Sequence, residues 1–446
     1  MGRMRVIAGA VLAGIVIVGA PRGAAAQARP GRPTGRVAVN VDTIQRRPID
    51  GSGPATTDAE VSTWATFESP EAGDGSGVDF RLDMRHARSM QGVRPDRVSL
   101  YDAYAGGHFG EGVQVRVRAG HLWLQDLGTM GALAGGLVEV GQPRSASGTR
   151  FRVGMFGGRE PNIYTTGYAP EVTKVGGYAA VESGYLRRHL VGFTQVRQGG
   201  LTERSVLSVT NFVPGGSKFF AYQAAEYEVR GPAQGKAASG LSYFLTNVRV
   251  SPATRLELQA TYNRGRSIDA RTMTADLLNG RALTPQAVEG LRYESRGGRV
   301  TVEVARGVRV YGSYAQDRTN RDDALTGRVM VGGYASNLFR SGLDVAASDS
   351  RVDRSTGAYH STYVSIGRGV GRSLYLSGDY TTSLSVIQFL RSDGIVIETR
   401  PRTKRYAGSA NATLSRQFSL MVSADVTRDD VQQEWRLLSG LSYRIR

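Results

Sequence analysis

The chain of 446 residues has no cysteine, only five histidines, and no apolar run long enough to cross a bilayer as a helix. The missing thiol removes disulfides, thiolate metal ligands, a cysteine nucleophile and the lipidated cysteine of a lipoprotein. His86, His108, His121, His189 and His360 are scattered, and no HExxH, GxSxG or glycine-rich phosphate loop accompanies them. A spanning helix needs about 20 apolar residues, so a chain like this one enters a membrane as strands. Its apolar run from Val6 to Ala20 follows the basic start Met1–Arg5, is broken by Pro21 and leads to Ala24-Ala25-Ala26. About 15 apolar residues with those flanks predict an export signal over residues 1–26 rather than an anchor.

Glycine (58) and tyrosine (20) are plentiful, and the formal charge is +17. Loss of Arg3, Arg5 and Arg22 with the signal leaves +14. A basic balance fits nucleic acid, anionic headgroups or anionic solutes, and export argues against nucleic acid.

Alternation is the dominant pattern. Phe418, Leu420, Val422, Ala424 and Val426 oppose Ser419, Ser423, Asp425 and Thr427, with Met421 the exception. After a short polar connection Trp435, Leu437, Leu441, Tyr443 and Ile445 oppose Arg436, Ser442, Arg444 and Arg446. Successive strand residues point to opposite faces, so this is a hairpin with one apolar and one wet side. Val78–Arg88, Val113–Leu124 and Arg255–Arg264 repeat it sharply, and the segments between Ala134 and Ser251 repeat it more weakly. About 22 such segments of roughly 9–11 residues predict an all-β fold, a single large antiparallel transmembrane β-barrel. Allowing for boundary error, we expect about 16–22 strands, an even number, over residues 36–446 after a flexible lead-in at 27–35. Ile44–Glu60 reads as a loop. Further along, short connections (Ser251–Thr254, Arg306-Gly307, Arg368–Arg372, Ser415-Arg416-Gln417) alternate with long ones (Ser267–Gly298, Arg318–Thr326, Leu384–Thr403).

The 267–298 loop carries helical signals. Met273, Leu277 and Leu278 have helical spacing before Gly280, and Thr284-Pro285 followed by Val288 and Leu291 resembles a capped helix start. We expect a small helix covering the barrel rim, with a lid or constriction inside the pore as the alternative.

Charge follows the same alternation. Arg81, Arg85, Arg116, Arg118, Arg150, Arg152, Arg255, Arg299, Arg328, Arg436 and Arg444 fall on the polar face. An arginine facing lipid costs about 2–4 kcal/mol at the midplane, so these side chains are expected to line a wet pore. Asp79, Asp83, Glu257, Glu303, Asp344, Asp379 and Asp425 share that face. Basic rings favour anions, whereas carboxylate pairing across strands would only brace the wall; both readings stand at this point. His86 and His121 fall on the lipid-facing register. Tyr and Trp near strand ends, among them Trp123, Tyr262, Tyr314, Tyr380, Tyr406, Trp435 and Tyr443, fit headgroup-level girdles.

The Ala24-Ala25-Ala26 processing site, the absent cysteines, the repeated amphipathic hairpins and a last strand reaching the terminus resemble the bacterial outer-membrane β-barrel (porin-like) superfamily. The resemblance implies the outer membrane of a Gram-negative-type bacterium and passive diffusion of small hydrophilic solutes, here with a mild anion preference. It implies insertion by the barrel-assembly machinery and homo-oligomers of barrels, and it implies no enzyme, cofactor or metal. The chain departs from the superfamily at its last residue, typically aromatic there and Arg446 here, with Tyr443 and Ile445 nearby. A structural or adhesive protein with a closed lumen and a barrel-type hydrolase are the alternatives.

Overall fold

The computed structural model describes residues 33–445 except 70–76, 93, 111, 125–126, 129–130, 143–147, 163–165, 184–186, 232–239, 355–356 and 391–395. The expected signal, most of the lead-in and Arg446 lie outside the described residues. The chain begins with β1 (Thr34–Pro48), β2 (Thr56–Glu68), β3 (Gly77–Ser89), β4 (Arg97–Phe109), β5 (Gln114–Trp123), β6 (Ala132–Gly141), β7 (Thr149–Pro161) and β8 (Tyr168–Ser183). It continues through β9 (Arg187–Gln198), β10 (Leu201–Gly215), β11 (Phe219–Arg230), β12 (Gly240–Ala253) and β13 (Leu256–Ser267). Two short helices, α1 (Ala270–Leu278) and α2 (Pro285–Glu289), precede β14 (Leu291–Ala305), β15 (Val308–Thr319), β16 (Asp322–Leu338), β17 (Leu343–Arg354) and β18 (Gly357–Val370). Then come β19 (Leu374–Leu390), β20 (Val396–Thr399), β21 (Arg402–Thr413), β22 (Phe418–Arg428) and β23 (Gln432–Ile445).

Neighbours in sequence pair antiparallel throughout, and β1 pairs with β23 from Gly35↔Ile445 to Pro48↔Gln432. The sheet is therefore closed. β20 and β21 both pair with β19 and form one interrupted stave, so the 23 segments make a barrel of 22 staves. An even count returns the chain to the end where β1 begins. No described helix is long and apolar enough to cross a membrane.

Several expected boundaries need correction. β1 runs on to Pro48 and β2 starts at Thr56, so most of the Ile44–Glu60 loop is strand. The Arg318–Thr326 loop is a two-residue turn, with Asp317↔Thr326 and Thr319↔Asp322 paired. Leu384–Thr403 is largely occupied by the end of β19, β20 and the start of β21. Thr34 and Gly35 of the lead-in belong to β1. The full staves run from 10 to 17 residues rather than 9–11. One cause explains all of these. Where a hairpin rises past the apolar belt both faces are polar, so alternation vanishes while ladder hydrogen bonds continue.

Register fixes the faces. Val422 pairs with Ser439 and Ala410 on the outside, and Ser423 pairs with Leu438 and Ser409 on the inside. Val78, Phe151, Val153 and Met155 stand exposed on the outer face. Two aromatic rows mark its ends: Phe418–Tyr443 at 4.8 Å between centroids near the termini, and Tyr380–Tyr406 at 5.0 Å, with Trp435, at the other end. Inside, the closing seam is clamped by Arg436 to Asp42 at 2.6 Å and Arg46 to Glu434 at 2.7 Å.

These faces predict a strong asymmetry. Val422→Arg should destabilise the barrel in lipid vesicles by about 2–4 kcal/mol, while Ser423→Arg, one residue on, should cost under about 0.5 kcal/mol. Denaturant titration of the vesicle-folded protein measures both, and equal costs would overturn the face assignment.

Candidate functional site

The lumen is the site, and its two halves differ. Along β3–β8 the inner face is a buried ion network nearer the end that holds the termini. Asp79 accepts hydrogen bonds from Arg118 Nε and from Tyr104 Oη at 3.3 Å, and lies 3.6 Å from Arg116 Nε. Glu139 accepts from Arg152 Nη1 at 2.8 Å, from Arg116 Nη1 at 3.4 Å and from the Tyr178 hydroxyl, with Arg150 3.5 Å away. Arg152 and Arg150 also reach Glu182, at 3.0 and 3.8 Å. The Glu139 side chain is 5% exposed and those of Arg150 and Arg152 are 12% exposed, so bulk water does not separate these charges. Gly154 makes the room: a Cβ there would fall 2.5 Å from the Tyr178 ring.

Farther from the termini, the same wall is apolar. Leu122, Leu133, Leu137, Phe156, Ala180 and Leu190 lie on the inward register of β5–β9 and form a buried cluster with Leu127 from the β5–β6 connection. Leu127 is seated directly on β9, where a Cβ on Gly192 would fall 2.4 Å from its Cδ2. Inward side chains of an empty barrel face water; burial to 1% exposure here means that protein covers this stretch of the inner wall.

α1 fills the adjacent mouth. It lies over β9 and β10, where inward Val172, Val196 and Val206 are buried together. Its Arg271 binds Glu203 of β10 at 2.7 Å and Glu160 of β7 at 3.1 Å, and Leu278 abuts Gly199 of the β9–β10 turn. Ala270, Met273 and Thr274 are buried. The helix thus packs against the inward face of β9 and β10 beside the β9–β10 turn. Its start follows from sequence: Asp269 accepts from the Thr272 amide at 3.0 Å and from its hydroxyl at 2.7 Å, the usual N-cap arrangement. Thr284 likewise caps α2, with Pro285 in its first turn. Leu291, expected on that helix, opens β14 instead. The Thr272 hydrogen bonds hold the Asp269 carboxyl below its ordinary value of 3.8. Burial disfavours the Arg271 charge, but the hydrogen bond that it donates to Glu203 and the charge of Glu160 outweigh it and raise its pKa.

The other half, β14–β23 with β1, is open. Ser350, Ser361, Ser377 and Ser409 hold inward positions on β17, β18, β19 and β21, and the ion pairs Arg328–Asp317, Arg405–Asp425 and Arg436–Asp42 are partly solvent-exposed. At the end nearer the termini a cavity of about 680 Å³ is lined by Lys218, Arg249, Arg255, Arg299 and Arg309 against Glu257 and Glu303.

The arginines singled out from sequence thus fall in three settings. Arg116, Arg118, Arg150 and Arg152 converge in the buried network. Arg81 lies 3.5 Å from Asp102 and 3.7 Å from Glu68, and Arg85 lies 3.0 Å from Glu60, while Arg328 and Arg436 make the exposed pairs above. Arg299 stacks over Tyr311, 3.7 Å from the ring centroid, and Arg255 lies in the turn before β13. Arg444 is on the inward register opposite Arg36. The inward carboxylates Asp79, Asp83, Glu257, Glu303, Asp344, Asp379 and Asp425 share this face. Sequence reasoning did not single out Glu139, Glu182, Glu203, Glu228, Lys174 or Arg204. They stand on strands whose alternation is blurred, and Glu228 is buried against Arg204 at 3.0 Å. Of the histidines, His86 and His121 face outward by register, and His360 donates from Nε2 to the Asp349 carboxylate at 2.8 Å on the outer face. Among the described residues no group of three or more His, Asp or Glu is placed to hold a metal.

Two expectations follow. Glu139→Gln leaves three arginines buried without their shared anion and should cost about 3–5 kcal/mol; Arg436→Gln in the exposed pair should cost under about 1 kcal/mol. Denaturant midpoints distinguish them. The depressed Asp269 carboxyl stabilises α1 above about pH 4, and that contribution is lost as pH falls through its folded value. Protection of the Thr272 amide, corrected for intrinsic exchange, should decline below pH 4 and stay flat from pH 5 to 7; unchanged protection at pH 3 would exclude this cap as the anchor.

No protein-family model and no curated protein matches the sequence. Among solved structures, Pseudomonas aeruginosa OpdQ is similar with a TM-score of 0.45 at 10% identity, over 93% of this chain and 98% of that one. Pseudomonas aeruginosa OpdO gives 0.42 at 9%, over 93% and 98%. Acinetobacter baumannii OccAB1 gives 0.43 at 9%, over 93% and 97%.

Proposed function

We propose that this protein is an outer-membrane, porin-like channel of a Gram-negative-type bacterium, through which small hydrophilic solutes diffuse passively. One observation carries the reading: an apolar outer face closes around a lumen whose β14–β23 half stays wet, lined by serines and exposed ion pairs. A structural protein with a closed lumen would fill both halves. A hydrolase would gather a nucleophile, a base and a carboxylate, whereas the hydrogen-bonded His360–Asp349 pair points away from the lumen. Lipid surrounds the barrel, the barrel-assembly machinery would insert it, and homo-oligomers follow only by resemblance.

The arginines divide the work. Those of the buried network neutralise carboxylates and brace the wall. The larger excess of positive charge lies in the basic cavity near the termini, where five cations face two carboxylates. A water-filled vestibule of one sign concentrates counter-ions, giving a mild preference for anions.

Single-channel recording in planar bilayers under a salt gradient tests this. Steady ohmic steps with a reversal potential on the anion side are expected, and Arg255→Glu with Arg299→Glu should move it toward cations. Arg116→Glu with Arg118→Glu should destabilise the barrel more than it moves the potential. A barrel that inserts but passes no current ends the channel reading in favour of the closed-lumen alternative.

A further inference from the structure

Beyond the aromatic row away from the termini, the outer face carries cations that form no side-chain ion pair among the described residues. Lys404 of β21 and Arg428 of β22 are register partners. The same outward row runs through Gln433 of β23 to Arg47 of β1, and Arg402 stands one outward position farther along β21. All four are exposed. Their neighbours Arg405 and Arg46 face inward and are paired, with Asp425 at 3.2 Å and Glu434 at 2.7 Å. Lys404, Arg428, Arg47 and Arg402 have no ion pair among the described residues. The carboxylates of the adjacent turn bond backbone rather than these side chains: Asp429 accepts from the Val431 and Gln432 amides, and Asp430 from the Arg402 amide.

Like charges directly opposite on one sheet face are destabilising. Elsewhere on the outer face the chain avoids this: Arg264 and Arg318 flank Glu294 in a single row. An anion from outside the chain would relieve the repulsion between Lys404 and Arg428. Its level is set by the row beneath. Tyr406 and Trp435, both exposed, precede the cations by one outward position, and such rings settle among headgroups. Two residues along a tilted strand add about 5 Å, which brings the cations to the headgroup phosphates.

Resting on the membrane-channel reading above, we propose that Lys404, Arg428, Arg47 and Arg402 bind the phosphate of an anionic lipid headgroup in the surrounding leaflet. Lysine supplies a point charge and arginine a planar donor fork, the pair of groups that phosphate oxygens accept best.

The test uses the full chain purified in detergent, titrated with phosphatidylglycerol or phosphatidylcholine and read by native mass spectrometry. Wild type should bind phosphatidylglycerol more tightly than phosphatidylcholine. Its dissociation constant should rise roughly fivefold for each cation removed in Lys404→Gln, Arg428→Gln and Arg47→Gln combined, with phosphatidylcholine unchanged. Arg264→Gln with Arg318→Gln should leave both constants in place; an equal loss there would mean diffuse surface charge and overturn the site. Inorganic phosphate alone, at millimolar concentration, should not displace the lipid; displacement would overturn the lipid assignment. Heat-modifiable migration after vesicle reconstitution scores insertion separately. Failure to insert removes the channel reading together with the lipid site, whereas insertion with undiminished lipid affinity in the triple variant removes the lipid site alone.

Discussion

Everything in this molecule depends on closing the backbone ladder. A strand edge in hydrocarbon would leave N–H and C=O groups unsatisfied at several kcal/mol each, so a sheet that enters lipid has to meet itself. Here β1 and β23 meet over fourteen paired positions from Gly35↔Ile445 to Pro48↔Gln432. Closure fixes the faces, since a one-residue slip would turn every apolar side chain inward. The seam is reinforced from inside by Arg436–Asp42 and Arg46–Glu434. Both pairs are partly solvated, so their main effect is to specify register rather than to add stability.

Once closed, a barrel of 22 staves is too wide for its own wall side chains to fill. This chain covers part of the inner wall with its own segments. Leu127 docks on Gly192, and α1 docks over β9 and β10 through Arg271. The inward face responds in its chemistry. Where protein covers it, the residues are Leu133, Leu137, Phe156, Leu190, Val196 and Val206; where water covers it, they are serines and exposed ion pairs.

That division explains what could be read from sequence and what could not. Alternation marks a strand only when its two faces meet different media. It is sharp in β22, where Val422 meets lipid and Ser423 meets water, and the register there follows directly. It blurs from β6 to β12 because Leu137 and Val138 are both apolar although they face opposite ways, one into the inner cluster and one outward. It disappears at hairpin ends such as Asp317–Thr326, wet on both sides. Glu139 escaped notice for the same reason, since its inward face was disguised by Leu137. The helical loop was legible from Thr284-Pro285 and the spacing of Met273 and Leu277, because capping is local. Its inward position was not, because it rests on Glu203 and Glu160, more than sixty residues away in sequence.

Arginine-rich composition therefore says less about selectivity than its placement does. A buried pair is close to neutral for stability and invisible to a passing ion, because its field is cancelled within a few ångströms. Arg152 lies 2.8 Å from Glu139 and 3.0 Å from Glu182, so its charge is largely screened by carboxylates. Arg299 stacks on an uncharged ring, and Arg255 lies in a turn at the edge of a water-filled cavity. Only charges of this second kind project a potential into the solution that a solute crosses. On the proposed channel reading, the effective charge of the lumen is then set by a few residues at one mouth, and the arginines of the buried network brace the wall.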